Sequence, residues 1–185
     1  EFSETPDENY NIDLDKTNEP DHYQDVVKKM MNCINLTSKA WLINYFNKSN
    51  ATETLSNMHP ADAAIVKIEN STMALAVTMD CNPNYMTTNP LIGAQIAVAE
   101  AARNIVCTGG KPLAISDCLN FGSPYDKKVY GQFVSAIKGI SMAVNHFNTP
   151  VVSGNVSFFN QNSIEGIIHP ITPTPIIGMV GVISD

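Results

Sequence analysis

Apolar residues first fall into register between Asp21 and Phe46, where Val26, Val27, Met30, Leu36, Trp41, Leu42 and Tyr45 recur at helical spacing. Within this stretch, Leu36-Thr37-Ser38-Lys39 supplies a cap between two short helices. Residues 47–60, rich in Asn, Ser and Thr and closed by Pro60, predict a loop. Two short apolar runs follow, Ala64–Ile68 and Met73–Met79, separated by Glu69-Asn70-Ser71-Thr72, a polar turn of hairpin length. After Asp80 the stretch holding Pro83 and Pro90 reads as irregular. An Ala-rich helix is predicted from about Leu91 to Cys107, ending at Gly109-Gly110, a suitable left-handed cap. Pro112–Cys118 reads as a strand and Asn120–Tyr125 as a loop. Lys128–Phe147 carries Tyr130, Phe133, Val134, Ile137, Ile140, Val144 and Phe147 at a 3.6-residue period, a second long helix. Val151–Phe159 and Ile176–Ile183 predict strands joined by a Pro-rich loop.

Hairpin, helix, strand, helix, strand, strand is an α+β pattern, a mixed or antiparallel sheet with its helices on one face. The other face then needs a cover from outside these elements, which predicts a partner subdomain or a homodimer. The 185 residues suffice for one ordinary domain. Residues 1–21 read as an acidic linker, 22–60 as lead-in helices and loop, and 61–185 as the main subdomain.

Charge changes this picture only at the N-terminus. Nine of the 18 acids lie in residues 1–25 against Lys16 alone, so the remaining 160 residues are close to neutral. A tract of that kind is usually solvated linker. No basic patch with interleaved aromatics points to nucleic acid, and no run of 18 apolar residues points to a membrane span. The four cysteines lack Cys-x-x-Cys spacing and read as reduced thiols of a cytoplasmic protein. The start at Glu1, without a signal pattern, reads as a fragment of a longer polypeptide. The Asn-x-Ser/Thr triplets at Asn35, Asn50, Asn70 and Asn155 are of the frequency an Asn-rich chain produces by chance.

Three polar clusters interrupt apolar elements at their ends. Thr78-Met79-Asp80-Cys81-Asn82-Pro83 ends a strand on an acid; Glu100 and Asn104 share a helix face at i,i+4; Ser116-Asp117 with Asn120, and Ser153-Gly154-Asn155-Val156-Ser157, stand where strands run into loops. Asp80, Glu100, Asn104 and Asn155 are oxygen donors suited to a Mg²⁺ that also bridges phosphates, and Gly154 would let backbone approach a phosphate. The same spacing serves surface hydrogen bonds and turn caps, so the pattern alone leaves both roles open. Gly109-Gly110-Lys111-Pro112 lacks the upstream glycine and the following Ser or Thr of a P-loop. His22, His59, His146 and His169 have no metal-ligand spacing.

At these clusters the sequence resembles the second repeat of the formylglycinamidine ribonucleotide synthetase family. The resemblance is carried by Ala61-Asp62-Ala63-Ala64, Thr78 to Pro83, Ala97-Val98-Ala99-Glu100-Ala101-Ala102-Arg103-Asn104, Lys111-Pro112-Leu113-Ala114, Asp117-Cys118-Leu119-Asn120-Phe121-Gly122 and the run Thr149 to Ser157. It covers roughly residues 22–185 in order, with Ser38-Lys39 and Trp41 resembling the family's lead-in helix. It implies a fold related to aminoimidazole ribonucleotide synthetase, in which N-terminal subdomains pair sheet to sheet. It implies a purine-pathway ligase that uses ATP, Mg²⁺ and ammonia from a glutaminase subunit or domain to convert formylglycinamide ribonucleotide to its amidine. By motif match, Asp117 and Gly154 correspond to ATP contacts, Asn155 to a Mg²⁺ ligand and Ser157 to a substrate-phosphate contact. Asp80, Glu100 and Asn104 match Mg²⁺ positions of a second nucleotide site. The family's catalytic histidines lie in the first repeat, so the resemblance implies no catalytic residue here and an inactive isolated fragment. Tyr45-Phe46-Asn47 departs from the family's Gln-Tyr-Asp. Another ATP-dependent enzyme of the superfamily is an alternative, but those families usually have an Asp-Gly-Val-Gly-Thr-like or Asp-Thr segment in place of Asp80-Cys81-Asn82-Pro83, which favours the formylglycinamidine ribonucleotide synthetase resemblance. A non-catalytic nucleotide-binding module is the alternative from another class.

Overall fold

The structure, a computed structural model, describes residues 14–16, 18–47 and 61–184. Most of the predicted acidic linker and of the loop ending at Pro60 lies outside the described residues. The chain divides into two compact units, the described residues to 47 belonging to one and those from 61 to the other.

The smaller unit holds α1 (Tyr23–Met31) and α2 (Ala40–Asn47), with a 3₁₀ turn at Ile34–Leu36 between them. The predicted cap sits in that connection: the Ala40 amide donates to Ser38 Oγ at 3.3 Å. Lys39 Nζ donates to the carbonyls of Ile34 (2.6 Å) and Thr37 (2.8 Å), closing the 3₁₀ turn. Tyr23, Met31, Ile34, Trp41 and Tyr45 remain exposed.

In the larger unit the strands are β1 (Ala64–Lys67), β2 (Ala74–Asp80), β3 (Lys111–Asn120), β4 (Val151–Ser157), β5 (Gln161–Ile164), β6 (Ile167–Pro170) and β7 (Thr174–Ile183). The helices are α3 (Pro83–Thr88), α4 (Pro90–Cys107) and α5 (Lys127–Phe147). Five strands form one sheet in the order β1-β2-β7-β3-β4, and β5 pairs with β6 separately. Pairing is antiparallel except between β3 and β4, which run parallel across the α5 crossover. This is the expected α+β class with a mixed sheet.

The expected hairpin, long helices and strands all form, and Gly109 takes φ +84° at the end of α4. Two elements depart from expectation. Pro83 and Pro90 begin helices: each occupies a first-turn position behind an Asn cap, with Asn82 Oδ1 accepting from the Asn84 amide (3.1 Å) and Asn89 Oδ1 from the Ile92 amide (3.0 Å). A proline at that position loses no helical hydrogen bond. The Pro-rich loop contains the β5–β6 hairpin, turned at Glu165 (φ 51°) and Gly166 (φ 79°).

Alternation along the strands decides what each sheet face meets. Ala74, Ala76 and Thr78 of β2, Ile115 and Leu119 of β3, and Pro175, Ile177 and Met179 of β7 are buried on one face, where α4 contacts all three strands. The cross-strand registers keep these residues in rows. Phe121, fully buried after β3, meets Phe133 edge-on (centroids 5.3 Å), and Phe133 meets Phe158 at 5.0 Å. That aromatic cluster supports the carboxyl ends of β3 and β4. The opposite face presents Leu75, Val77 and Met79 of β2 beside Val182, Val180 and Gly178 of β7, and none of α3, α4 and α5 packs on it.

Candidate functional site

The predicted residues fall into two places on the helix-covered face and one on the open face. Register defines the first. Asp80 of β2 and Asp117 of β3 both pair with Ile177 of β7, from its two sides, and Asp117 pairs onward with Gly154 of β4. The two acids therefore stand in one row, two strand spacings or roughly 10 Å apart. A Cβ placed on Gly154 would run into the Asp117 carboxylate, with Cγ at 2.8 Å. Glycine at 154 is what makes room for the acid. Burial alone pushes the Asp117 carboxyl above its ordinary range. No side-chain hydrogen bond or ion pair reaches that carboxylate among the described residues.

Asp80 is better supported. Its Oδ2 accepts from Thr78 Oγ1 at 2.8 Å and its Oδ1 from Asn104 Nδ2 at 2.8 Å, across from α4. Burial nevertheless raises its pKa, against the two hydrogen bonds and the Arg103 charge that lower it. Glu100 lies one helical turn before Asn104. Burial first, and the Glu100 charge second, push the Cys81 thiol up to about 11, which keeps it protonated and unreactive at neutral pH. Asp80 and Asn104 are thus joined directly, and Glu100, one turn back along α4, is close enough to Cys81 for its charge to act there. Among the described residues, no three His, Cys, Asp or Glu side chains converge as a metal centre.

Asn155 stands apart from that trio. It pairs with Cys118, one residue out of phase with the Asp117–Gly154 row, so it lies on the open face with Ser153 and Ser157. Ser116, Cys118 and Asn120 of β3 flank it. Ser153 Oγ donates to Ser116 Oγ at 2.8 Å, while Asn120 Nδ2 donates to the carbonyls of Cys118 (3.1 Å) and Thr174 (3.2 Å). The open face is therefore apolar on β2 and polar on β3 and β4. Asn160, which the sequence reading passed over, sits immediately beyond β4 with its amide against Ser157. The available signal was an Asn three residues past a strand-end serine, which is also an ordinary turn residue.

The chain is similar in sequence and in fold to known proteins. The chain is 47% identical over 151 residues to phosphoribosylformylglycinamidine synthase subunit PurL of Chlorobaculum tepidum, covering 82% of this chain and 20% of that protein. The solved structure of Thermotoga maritima PurL complexed with ATP superposes with a TM-score of 0.63 at 28% identity, over 77% of this chain and 23% of that one. The same protein complexed with FGAR gives 0.58 at 29%, over 65% and 19%. The chain thus spans about a fifth of the length of the relatives it matches. Residues 60–183 match the family described as AIR synthase related protein, N-terminal domain, and the chain belongs to that family.

Proposed function

We propose that this chain is the N-terminal subdomain of the second repeat of a phosphoribosylformylglycinamidine synthase, a ligase of purine biosynthesis. In the whole enzyme ATP phosphorylates the formamide oxygen of formylglycinamide ribonucleotide. Ammonia released from glutamine by a glutaminase subunit or domain then displaces that phosphate. The products are formylglycinamidine ribonucleotide, ADP, phosphate and glutamate. The remaining subdomains of the synthetase supply the catalytic residues, and the isolated chain has no turnover.

The Asp117–Gly154 pair carries the reading. A carboxylate held partly out of water without a partner, beside a glycine that leaves the backbone bare, is costly for the fold and useful at a phosphate site. Asp117 and Gly154 are the proposed ATP contacts, Asn155 a proposed Mg²⁺ ligand and Ser157 the proposed contact to the substrate phosphate. Asp80, Glu100 and Asn104 are the proposed ligands of a second Mg²⁺. Their hard oxygens fit that ion, and the desolvated Asp80 carboxyl is the kind of group a cation would relieve. Mg²⁺ would supply charge neutralisation at the phosphates. No helix among the described residues is long and apolar enough to cross a membrane, and the proposed setting is the cytoplasm.

Because Asp80 and Asn104 lie on the helix-covered face while Asn155 and Ser157 lie on the other, a second reading applies to the first pair: a nucleotide held there as a permanent structural part. Mg²⁺-dependent binding of ATP and ADP, followed by calorimetry with Asp117→Ala and Asn155→Ala, tests the proposal. Binding lost in both variants supports it. Binding that survives both but is lost in Asp80→Ala assigns the nucleotide to the structural site instead.

A further inference from the structure

We propose that the trough between α4 and α5, which continues to the start of β3, is the docking groove for an amphipathic helix with an acidic flank, supplied by the part of the synthetase that lies outside this chain. The inference rests on the reading of the chain as one subdomain of a longer enzyme, and it uses none of the proposed nucleotide or substrate contacts.

The sequence of α4 already calls for a second covered side. Glu100 and Arg103 are the only charged residues among its 18. One face, with Ala97, Val98, Ala101 and Ile105, is buried. A second stripe, Ala99 and Val106 with Arg103 between them, recurs at helical spacing and stays accessible, with Val106 58% exposed. A helix apolar on more than one side is built to be enclosed. This stripe lines two cavities, of about 440 and 330 Å³, that share Ala99 and Phe147 as walls and so form one depression. The larger passes Val106 and Cys107 to reach Lys111 and Pro112 of β3, and the smaller passes Gln95, Met142 and His146. From Gln95 to Cys107 the trough follows α4 for roughly 18 Å, about three helical turns.

Charge narrows what can lie there. Arg103, Lys111 and His146 line the trough, and among the described residues no Asp or Glu does. These bases stand where α4 and α5 end. Each helix end carries about half a negative charge, less in sum than the two full charges of Arg103 and Lys111, so the rim is left positive. Arg103 is shared with Asp80, on which its charge also acts, whereas Lys111 has no ion pair among the described residues. An occupant that covers Val106, Met142 and Phe147 with an apolar stripe therefore needs carboxylates on one flank. A second copy of this surface is opposed by like charge, since two such troughs would set their bases against each other. A depression open along its length takes a rod, where a compact small ligand is held by an enclosing pocket. Because this chain spans about a fifth of its relatives, most of the enzyme is available to supply that rod.

The test uses the full synthetase carrying this segment. Cys107 lines the trough and is exposed in this chain, so its alkylation by iodoacetamide, followed peptide by peptide in mass spectrometry, reports whether the trough is covered. Cys107 of the native enzyme is expected to react at least about tenfold more slowly than in the urea-unfolded one. Val106→Glu places a charge in the apolar part of the trough at an already exposed position and should restore most of the rate. Lys111→Glu, which reverses the charge of the rim, should restore part of it. Ile92→Glu, at an exposed α4 position outside the trough, should leave the protection intact. p-Benzoylphenylalanine placed at Met142 should crosslink to a helix elsewhere in the same polypeptide with Asp or Glu on its flank. Thermal unfolding of each variant separates undocking from loss of fold, and Lys111→Glu carries the test alone if Val106→Glu does not fold. A native rate equal to the unfolded one, protection that neither trough variant relieves, or a crosslink to anything else, a second copy included, would overturn the docking. Turnover of formylglycinamide ribonucleotide by the unmodified enzyme is measured alongside. Its absence would remove the reading of the chain as a synthetase subdomain, whereas turnover with an open trough would remove the docking alone.

Discussion

Asp117 lies between buried Ile115 and Leu119 on the helix side of the sheet, and burial raises its pKa with nothing to offset it. The proton is then bound more tightly in the folded chain than in the unfolded one. Folding is favoured most below the unfolded-state value, and the contribution falls as pH rises through the folded-state value. Asp117→Asn is accordingly expected to raise Tm at neutral pH, with the gain shrinking as pH falls through the ordinary carboxylate range. A loss of stability at neutral pH, or a gain indifferent to pH, would show that the carboxylate is compensated by something else. The same variant should weaken nucleotide binding, because residues kept at a cost to the fold are the ones a site requires. Thr149 makes the contrasting case. Its Oγ1 is buried and finds no partner among the described residues, yet no proposed contact uses it. Thr149→Val should therefore stabilise the chain by about 1 kcal/mol, the cost of an unsatisfied buried hydroxyl, without changing ligand binding. Thermal unfolding in parallel with calorimetry separates the two.

Among the elements, α4 shows what the sequence made legible and what it concealed. Its Ala-rich face, its length and its Gly109 stop were readable because helical period and left-handed glycine have few competing explanations. Pro83 and Pro90 looked like interruptions because proline breaks helices in their interiors; the Asn before each was the sign that they stand at first turns. The β5–β6 hairpin was hidden by weak alternation and nearby prolines, with only Glu165-Gly166 to mark its turn. The site divided in the same way. Motif resemblance named Asp117, Gly154, Asn155 and Ser157, but only strand phase separates Gly154 from Asn155 onto opposite faces. That phase depends on the β3–β4 register, which shifts between Ile115 and Ser116. The importance of the α4 cap is measurable. Asn89→Ala should cost about 1 kcal/mol and Asn89→Gly only a few tenths, because glycine adopts the cap conformation without a side-chain penalty. Equal losses in the two would mean that Asn89 acts through packing and not through its bond to the Ile92 amide.

At the scale of the larger unit, the decisive feature is a sheet that the unit's own helices cover on one face only. Leu75, Val77 and Met79 of β2 stand beside Val180 and Val182 of β7, with Met79 71% exposed. A contiguous apolar surface of this kind is maintained for a partner and not for solvent. The polar column on β3 and β4 lies beside it, so a partner seated on the apolar half would leave Ser157 and Asn155 at the rim of the contact. A like subdomain fits the apolar half, since two such faces bury each other as a sheet-on-sheet pair. In the isolated chain the only like surface available is a second copy. The chain should therefore self-associate in light scattering at micromolar concentration, and Met79→Glu should make it monomeric. Because the Met79 side chain is already exposed, that substitution should change stability by no more than about 0.5 kcal/mol. Met142→Glu is the control: it places the same charge at another exposed apolar position, on α5 and away from the sheet, and should leave association unchanged. Association lost in both variants would assign the contact to general hydrophobic stickiness. Association lost in Met79→Glu alone would assign it to the open face.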